Sequence, residues 1–134
     1  LQKQGFELDH PLWSARALKS HPELIFNSHL DFLNAGANII LTASYQASVE
    51  GFKRFGLYDR EARETLFSSV MLAVYAREKF REANPKSSGS ILIGGSCGPY
   101  GAILADGSEY RPSYIDLKNN QIHSEHSSQL TQYY

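Results

Sequence analysis

The sequence predicts an α/β fold built on a parallel sheet. Three observations predict it. Helical periods alternate with short apolar runs along the chain. The longest helical stretch lies between the two apolar runs, and strands joined by a crossover of that length run parallel. Each apolar run also ends in a cluster of polar or glycine residues. In parallel sheets ligands gather there, beyond the C-terminal ends of the strands.

The elements follow in order. "HPELIFNSHLDFLNAG" predicts a helix, with Pro22 suited to a first turn where its missing N–H costs nothing. Leu24, Ile25, Leu30, Phe32 and Leu33 supply an apolar face, and Gly36 is placed to close the helix in a left-handed conformation. Asn38 to Ala43 reads as the first strand. "SVEGFKRFG" predicts a short helical turn closed by Gly56. "YDREARETLFSSVMLAVYAREKFREANP" is the strongest helix. Asp59 is its expected N-cap, and Leu66, Val70, Ala73, Val74 and Ala76 form the expected buried face, with Phe67 and Met71 beside it. Lys79 and Arg81 sit near its C-terminus and Pro85 stops it. After the loop "KSSGS", Ile91 to Gly95 reads as a second buried strand. No internal repeat exists beyond this alternation.

Composition narrows the function classes. The chain has 134 residues, 42% apolar and 20% charged, with a formal net charge of −1. That length carries one domain with a real core. The charge gives no bulk attraction to nucleic acid or to an acidic membrane surface. No apolar run approaches the roughly 18 residues that read as a spanning helix. The opening "LQKQGFELDHP" lacks signal-peptide character and an initiator methionine, so a cytoplasmic protein is expected. A single cysteine, Cys97, allows no internal disulfide and no cysteine-rich metal site from this chain alone.

Thr42, Ser44, Tyr45, Gln46 and Ser48 crowd into seven positions at the end of the first strand. Opposite them, in a parallel pairing, stands "GGSCGPYG". Polar side chains beside a backbone-rich glycine loop suit a small polar substrate. Plainer readings exist for each residue. Ser44 and Ser48 are also suited to capping the next turn or helix, and Tyr45 to packing at a rim. The glycines also suit a tight turn, and the segment lacks the Gly-Lys-Ser/Thr ending of a phosphate loop. Cys97 as a nucleophile would need a partner base that the sequence does not identify. His29 reads as a structural helix histidine. His123 and His126, three apart in a polar tail, do not make a metal site by themselves. Trp13 is suited to packing the N-terminal segment onto the body.

"DHPLWSARAL", "HPELI", "HLDFLNAGANIILTASYQAS", "GFKRFGL" and "GSCGPYGAILADGSEYR" occur together, in this order. On them the chain resembles the N-terminal part of the homocysteine S-methyltransferase family, above all members that use S-methylmethionine. The resemblance covers about residues 4 to 114. It implies a partial (β/α)8 TIM barrel, roughly strands two and three with their helices, over residues 1–115. Residues 116–134 are expected to be a divergent, disordered polar tail.

The implied partners are homocysteine and a sulfonium or betaine-like methyl donor, and the product is methionine. Zinc is the family's cofactor, holding the homocysteine sulfur as a thiolate. By the same resemblance Thr42 meets the amino-acid end of homocysteine. Tyr45, Gln46 and Trp13 line the donor side, and Ser96 with the Gly94–Gly95 backbone forms the neighbouring rim. The "DGSEY" loop, Asp106 to Tyr110, is expected to be structural or lid-forming. The three zinc-binding cysteines of the family fall in its C-terminal half and have no counterpart here, and Cys97 is not one of them. No catalytic and no metal-ligating residue is therefore expected in this chain, nor zinc bound by it alone. The expected form is truncated and inactive by itself; the alternative is a fragment or splice product with at most a binding role.

Overall fold

The computed structural model describes residues 2, 5–7, 12–86, 89–104, 106–116, 121–124, 126 and 127, without the side chains of Trp13 and Ser14. The chain forms two compact units, Leu1–Cys97 and Gly98–Tyr134.

In the first unit a 3-10 turn, Trp13–Arg16, runs into α1, Ala17–Ser20. Next comes α2, Pro22–Asn34, with proline in its first turn as expected. Gly36 follows it at φ +96°, a conformation that glycine adopts without Cβ strain. Strand β1 is Ile39–Leu41, α3 is Val49–Arg54, α4 is Asp59–Ala83 and β2 is Leu92–Gly94. Both strands are shorter than the sequence predicts. β1 and β2 pair in parallel, Ile39 with Leu92, Ile40 with Ile93 and Leu41 with Gly94. The expected strand–helix–strand unit is present.

Two details of α4 differ from expectation. Its N-cap is Tyr58, in extended backbone, and Asp59 is the first helical residue. The Tyr58 amide donates to the Glu61 carboxylate at 3.1 Å, one half of a capping box. The buried face is also only partly the one predicted: Ala73 and Ala76 belong to both. Ala62, Thr65, Ser69, Ala73 and Ala76 are buried, whereas Phe67 is 64% exposed and Val70 40%. A helix pressed closely against its neighbours buries small residues. The Ser69 hydroxyl is satisfied inside its own helix, donating to the Leu66 carbonyl at 2.7 Å.

Burial divides along α4. Ala62, near its start, belongs to a cluster with Phe6, Leu12, Leu18, Ile25 and Phe52. Ala73, further on, belongs to a second cluster with Leu33, Ile40 and Ile91. Among the described residues the sheet is covered on one face only. Ile40 is 3% exposed, with Ile93 packed against the same cluster, while Ile39 and Leu41 on the other face are 58% and 60% exposed.

In the second unit α5, Tyr100–Leu104, precedes a two-residue antiparallel pair, β3 (Ile115–Asp116) with β4 (Gln121–Ile122). The expected tail lies partly outside the described residues, at 117–120, 125 and 128–134.

His29 on α2 is 6% exposed and its Nε2 has no hydrogen-bond partner. Burial pushes its imidazole below the ordinary value of 6.5, because the charged form loses hydration. Just below pH 6.5 the folded chain therefore binds fewer protons than the unfolded chain. The stability His29 contributes is present above 6.5 and is lost as pH falls from there toward its lowered folded value. In His29→Leu, the urea midpoint should fall less steeply between about pH 7 and 5 than in the parent. Equal slopes would show that another group carries the dependence.

Candidate functional site

The end of β1 is tied to the end of β2 by main chain first. The Thr42 amide donates to the Gly94 carbonyl at 3.0 Å, one step beyond the strand pair. Side chains then continue the connection. The Ser96 amide donates to Thr42 Oγ1 at 2.9 Å, and Ser44 Oγ donates to the Ser96 carbonyl at 2.7 Å. Thr42 Oγ1 and Ser44 Oγ lie 2.7 Å apart. A hydroxyl has one hydrogen. Since that of Ser44 goes to Ser96, Thr42 is the donor between the two hydroxyls. Ser96 N–H, Thr42, Ser44 and Ser96 C=O thus form a closed ring of three hydrogen bonds. Thr42 is 4% exposed.

Beyond the ring the chain turns sharply. The Ala47 amide donates to the Ser44 carbonyl at 3.0 Å, which leaves Tyr45 and Gln46 as the two central residues of a turn. Tyr45 is 42% exposed. Ser48 then caps α3, its Oγ accepting from the Gly51 amide at 2.9 Å. Of the two serines suited to capping, Ser48 fills that role. Ser44 bridges the strand ends instead.

On the β2 side, Gly94 lies beneath Leu41, and a Cβ there would come within 2.8 Å of Leu41 Cδ2. Cys97 is exposed. Thr42, Ser96, Tyr45 and Gln46 are therefore brought onto two adjoining loops. Trp13 opens the 3-10 turn, with its side chain outside the described residues. Ser44 is the functional candidate that sequence reasoning left out of the site. Its position in the polar cluster was the available signal.

Among the described residues no group of three His, Cys, Asp or Glu side chains is placed to hold a metal ion. A shallow depression lined by Ala83, Asn84, Pro85 and Lys86 lies at the C-terminal end of α4. It gathers no cluster of reactive groups, so the strand-end loops remain the candidate site.

The second unit folds the "DGSEY" segment tightly. The Ser108 amide donates to Asp106 Oδ1 at 2.9 Å, Gly107 has φ +85°, and the Tyr110 and Arg111 amides both donate to the Gly107 carbonyl. Hydrogen bonds from Ser108, side chain first and then amide, hold the exposed Asp106 carboxyl below its ordinary range. Ser108 itself is 2% exposed and shares a 2.7 Å hydrogen bond with Ser113 Oγ. Within the same unit Tyr100 pairs edge to face with Tyr114 at 5.1 Å, and its hydroxyl lies 3.0 Å from His126 Nδ1.

Comparison with known proteins places the chain in a family. The family profile described as homocysteine S-methyltransferase matches residues 1–133, so the match extends through the tail segment. A homocysteine S-methyltransferase of Escherichia coli is 48% identical over 114 residues, covering 85% of this chain and 36% of that protein. A selenocysteine methyltransferase of Astragalus bisulcatus is 46% identical over 128 residues, covering 87% and 38%. The chain thus spans little more than a third of the length of these relatives. Among solved structures, the metallated form of the E. coli homocysteine methyltransferase MmuM superposes with a TM-score of 0.78 at 42% identity. That superposition covers 98% of this chain and 46% of the other.

Gly101 offers a direct test of the second unit. A Cβ at this position would lie 2.5 to 2.6 Å from backbone atoms of Ser108 and Glu109, which have no rotamer by which to move aside. Gly101→Ala should cost about 1–3 kcal/mol locally. Hydrogen exchange of the Tyr110 and Arg111 amides should quicken accordingly, with amides of the first unit unchanged. Unaltered protection would contradict the close approach.

Proposed function

The chain belongs to the homocysteine S-methyltransferase family, and on that premise we propose that it serves methyl transfer to homocysteine, giving methionine, as one portion of a (β/α)8 barrel. β1 and β2 would be the second and third strands, within the segment 1–115, and 116–134 a polar extension of it. The single observation that carries the proposal is the polar rim on the joined strand ends. It stands in a chain 48% identical to a homocysteine S-methyltransferase. In parallel sheets this is where substrates sit.

In this reading homocysteine lies with its amino-acid end toward Thr42, and Ser96 with the Gly94–Gly95 backbone forms the neighbouring rim. The methyl donor, S-methylmethionine or a similar sulfonium or betaine-like compound, lies toward Tyr45, Gln46 and Trp13. An exposed aromatic ring on a turn suits a cationic donor, whose charge is attracted to the ring face. The chain's own contribution is to bind and orient.

The residues described here do not fit the zinc site that the family implies. Cys97 stands exposed, and among the described residues no metal-ligating trio surrounds it. No step of metal binding or of activation of the homocysteine sulfur is assigned to these residues. A cytoplasmic place accords with a single exposed cysteine. No helix among the described residues is long and apolar enough to cross a membrane.

One observation favours a second reading, that of a non-catalytic piece that acts by binding. The uncovered sheet face carries Ile39, Leu41 and Leu92, each more than half exposed. The mass of the native protein separates the two readings. A product of 15.0 kDa supports the second, and one near the ~250 residues of a barrel supports the first.

The site assignment is tested in a barrel-length protein carrying this segment. Tyr45→Ala should raise the donor KM by roughly 2- to 30-fold, the loss of about 0.5–2 kcal/mol, and leave the homocysteine KM nearly unchanged. An unchanged ratio of the two KM values, with a lowered Tm, would reduce Tyr45 to a residue that only shapes its turn.

A further inference from the structure

We propose that Ser44 is a positioning residue: through Thr42 and Ser96 it latches the loop after β1 to the loop after β2, so that the two halves of the rim move as one body. The use of that rim for homocysteine rests on the reading above, but the latch does not.

The geometry accounts for every polar hydrogen in the ring. The Ser96 amide hydrogen goes to Thr42, the Thr42 hydrogen to Ser44 and the Ser44 hydrogen to the Ser96 carbonyl. Both backbone groups of Ser96 are thereby held by side chains 54 and 52 residues away in the chain. This fixes the peptide planes on either side of Ser96 where the β ladder has already ended. Main-chain pairing reaches only as far as Thr42 and Gly94. Ser44 also starts the turn that carries Tyr45 and Gln46, since its carbonyl accepts from Ala47. One residue therefore anchors the Tyr45–Gln46 tip and the Ser96 loop to each other. Thr42, with its hydrogen committed inward, acts by holding Ser96 in place.

Hydrogen exchange on the 134-residue chain, without substrate, tests the latch. Thr42→Val should quicken Ser96 amide exchange about 5- to 150-fold, since the amide loses its acceptor. Ser44→Ala should quicken it about 2- to 10-fold. The conservative Ser44→Thr should restore the parent rate. Amides within the first unit's core, such as Phe52 and Ala62, should stay within about twofold of the parent. Unchanged Ser96 exchange in Ser44→Ala, or a uniform quickening of all amides, would overturn the proposal. A measurement without mutation guards against a variant that fails to fold. The Thr42 and Ser44 hydroxyl protons should exchange slowly and show cross-relaxation to the Ser96 amide, and their absence would also overturn the latch. Because no substrate is present, a negative result leaves the methyl-transfer reading untouched.

Discussion

The parallel pairing of β1 with β2 is the constraint from which the first unit is built. Only three residues on each side take part. A three-residue strand is about 10 Å long, whereas the 25 residues of α4 span about 37 Å. The returning helix therefore overshoots the sheet it serves, and the surplus must be buried elsewhere. The N-terminal segment meets that need. Phe6, Leu12 and Leu18 gather with Phe52 around the Ala62 end of α4, while Ala73 lies over Ile40 and Ile91. Two clusters strung along one helix follow from the mismatch in length.

The same pairing leaves a one-sided sheet. Side chains alternate across a strand, so three residues send their neighbours to opposite faces. Ile40 reaches the helix-covered face, and Ile39 and Leu41 reach the other, where nothing among the described residues covers them. Burying one such side chain fully is worth about 1.5–3 kcal/mol. The chain thus forgoes several kcal/mol that a layer on the open face would supply. Close packing on the covered side works within that limit. Alanines at 62, 73 and 76, each fully buried, let α4 settle near its neighbours.

Much of this was legible in the sequence where the signal is local. Pro22 at a first turn, and Gly36 and Gly56 at positive φ after their helices, act through backbone geometry that one residue type dictates. The parallel strand pair followed from the order of the segments. The buried face of α4 was legible only in part: Ala73 and Ala76 are inside as expected, but apolar periodicity also selects large residues, whereas close helix packing selects small ones. Thr65 and Ser69 are inside, and Phe67 is outside. The N-cap was displaced by one residue because Asp59 is chemically suited to the role, but the chain is still extended at Tyr58. The strand order brought Thr42 and Ser96 together on paper. The Ser44 bond did not follow, because it depends on a rotamer and spans 52 residues.

The crowding of hydroxyls after β1 now has a physical account. A ladder that stops leaves two chains diverging, with main-chain groups that need partners. Ser48 meets the need at the start of α3, and Thr42 with Ser44 meets it at Ser96. Structural and functional readings of these residues are not rivals, since a rim that is to hold a ligand must first hold itself. Residues that close hydrogen bonds among themselves make the scaffold, and they free their neighbours from that task. Tyr45, lifted on the turn that Ser44 begins, is 42% exposed and has an accessible ring. The division of labour runs along the chain: buried hydroxyls fix the backbone, and the side chain three residues beyond Thr42 is left to face whatever binds.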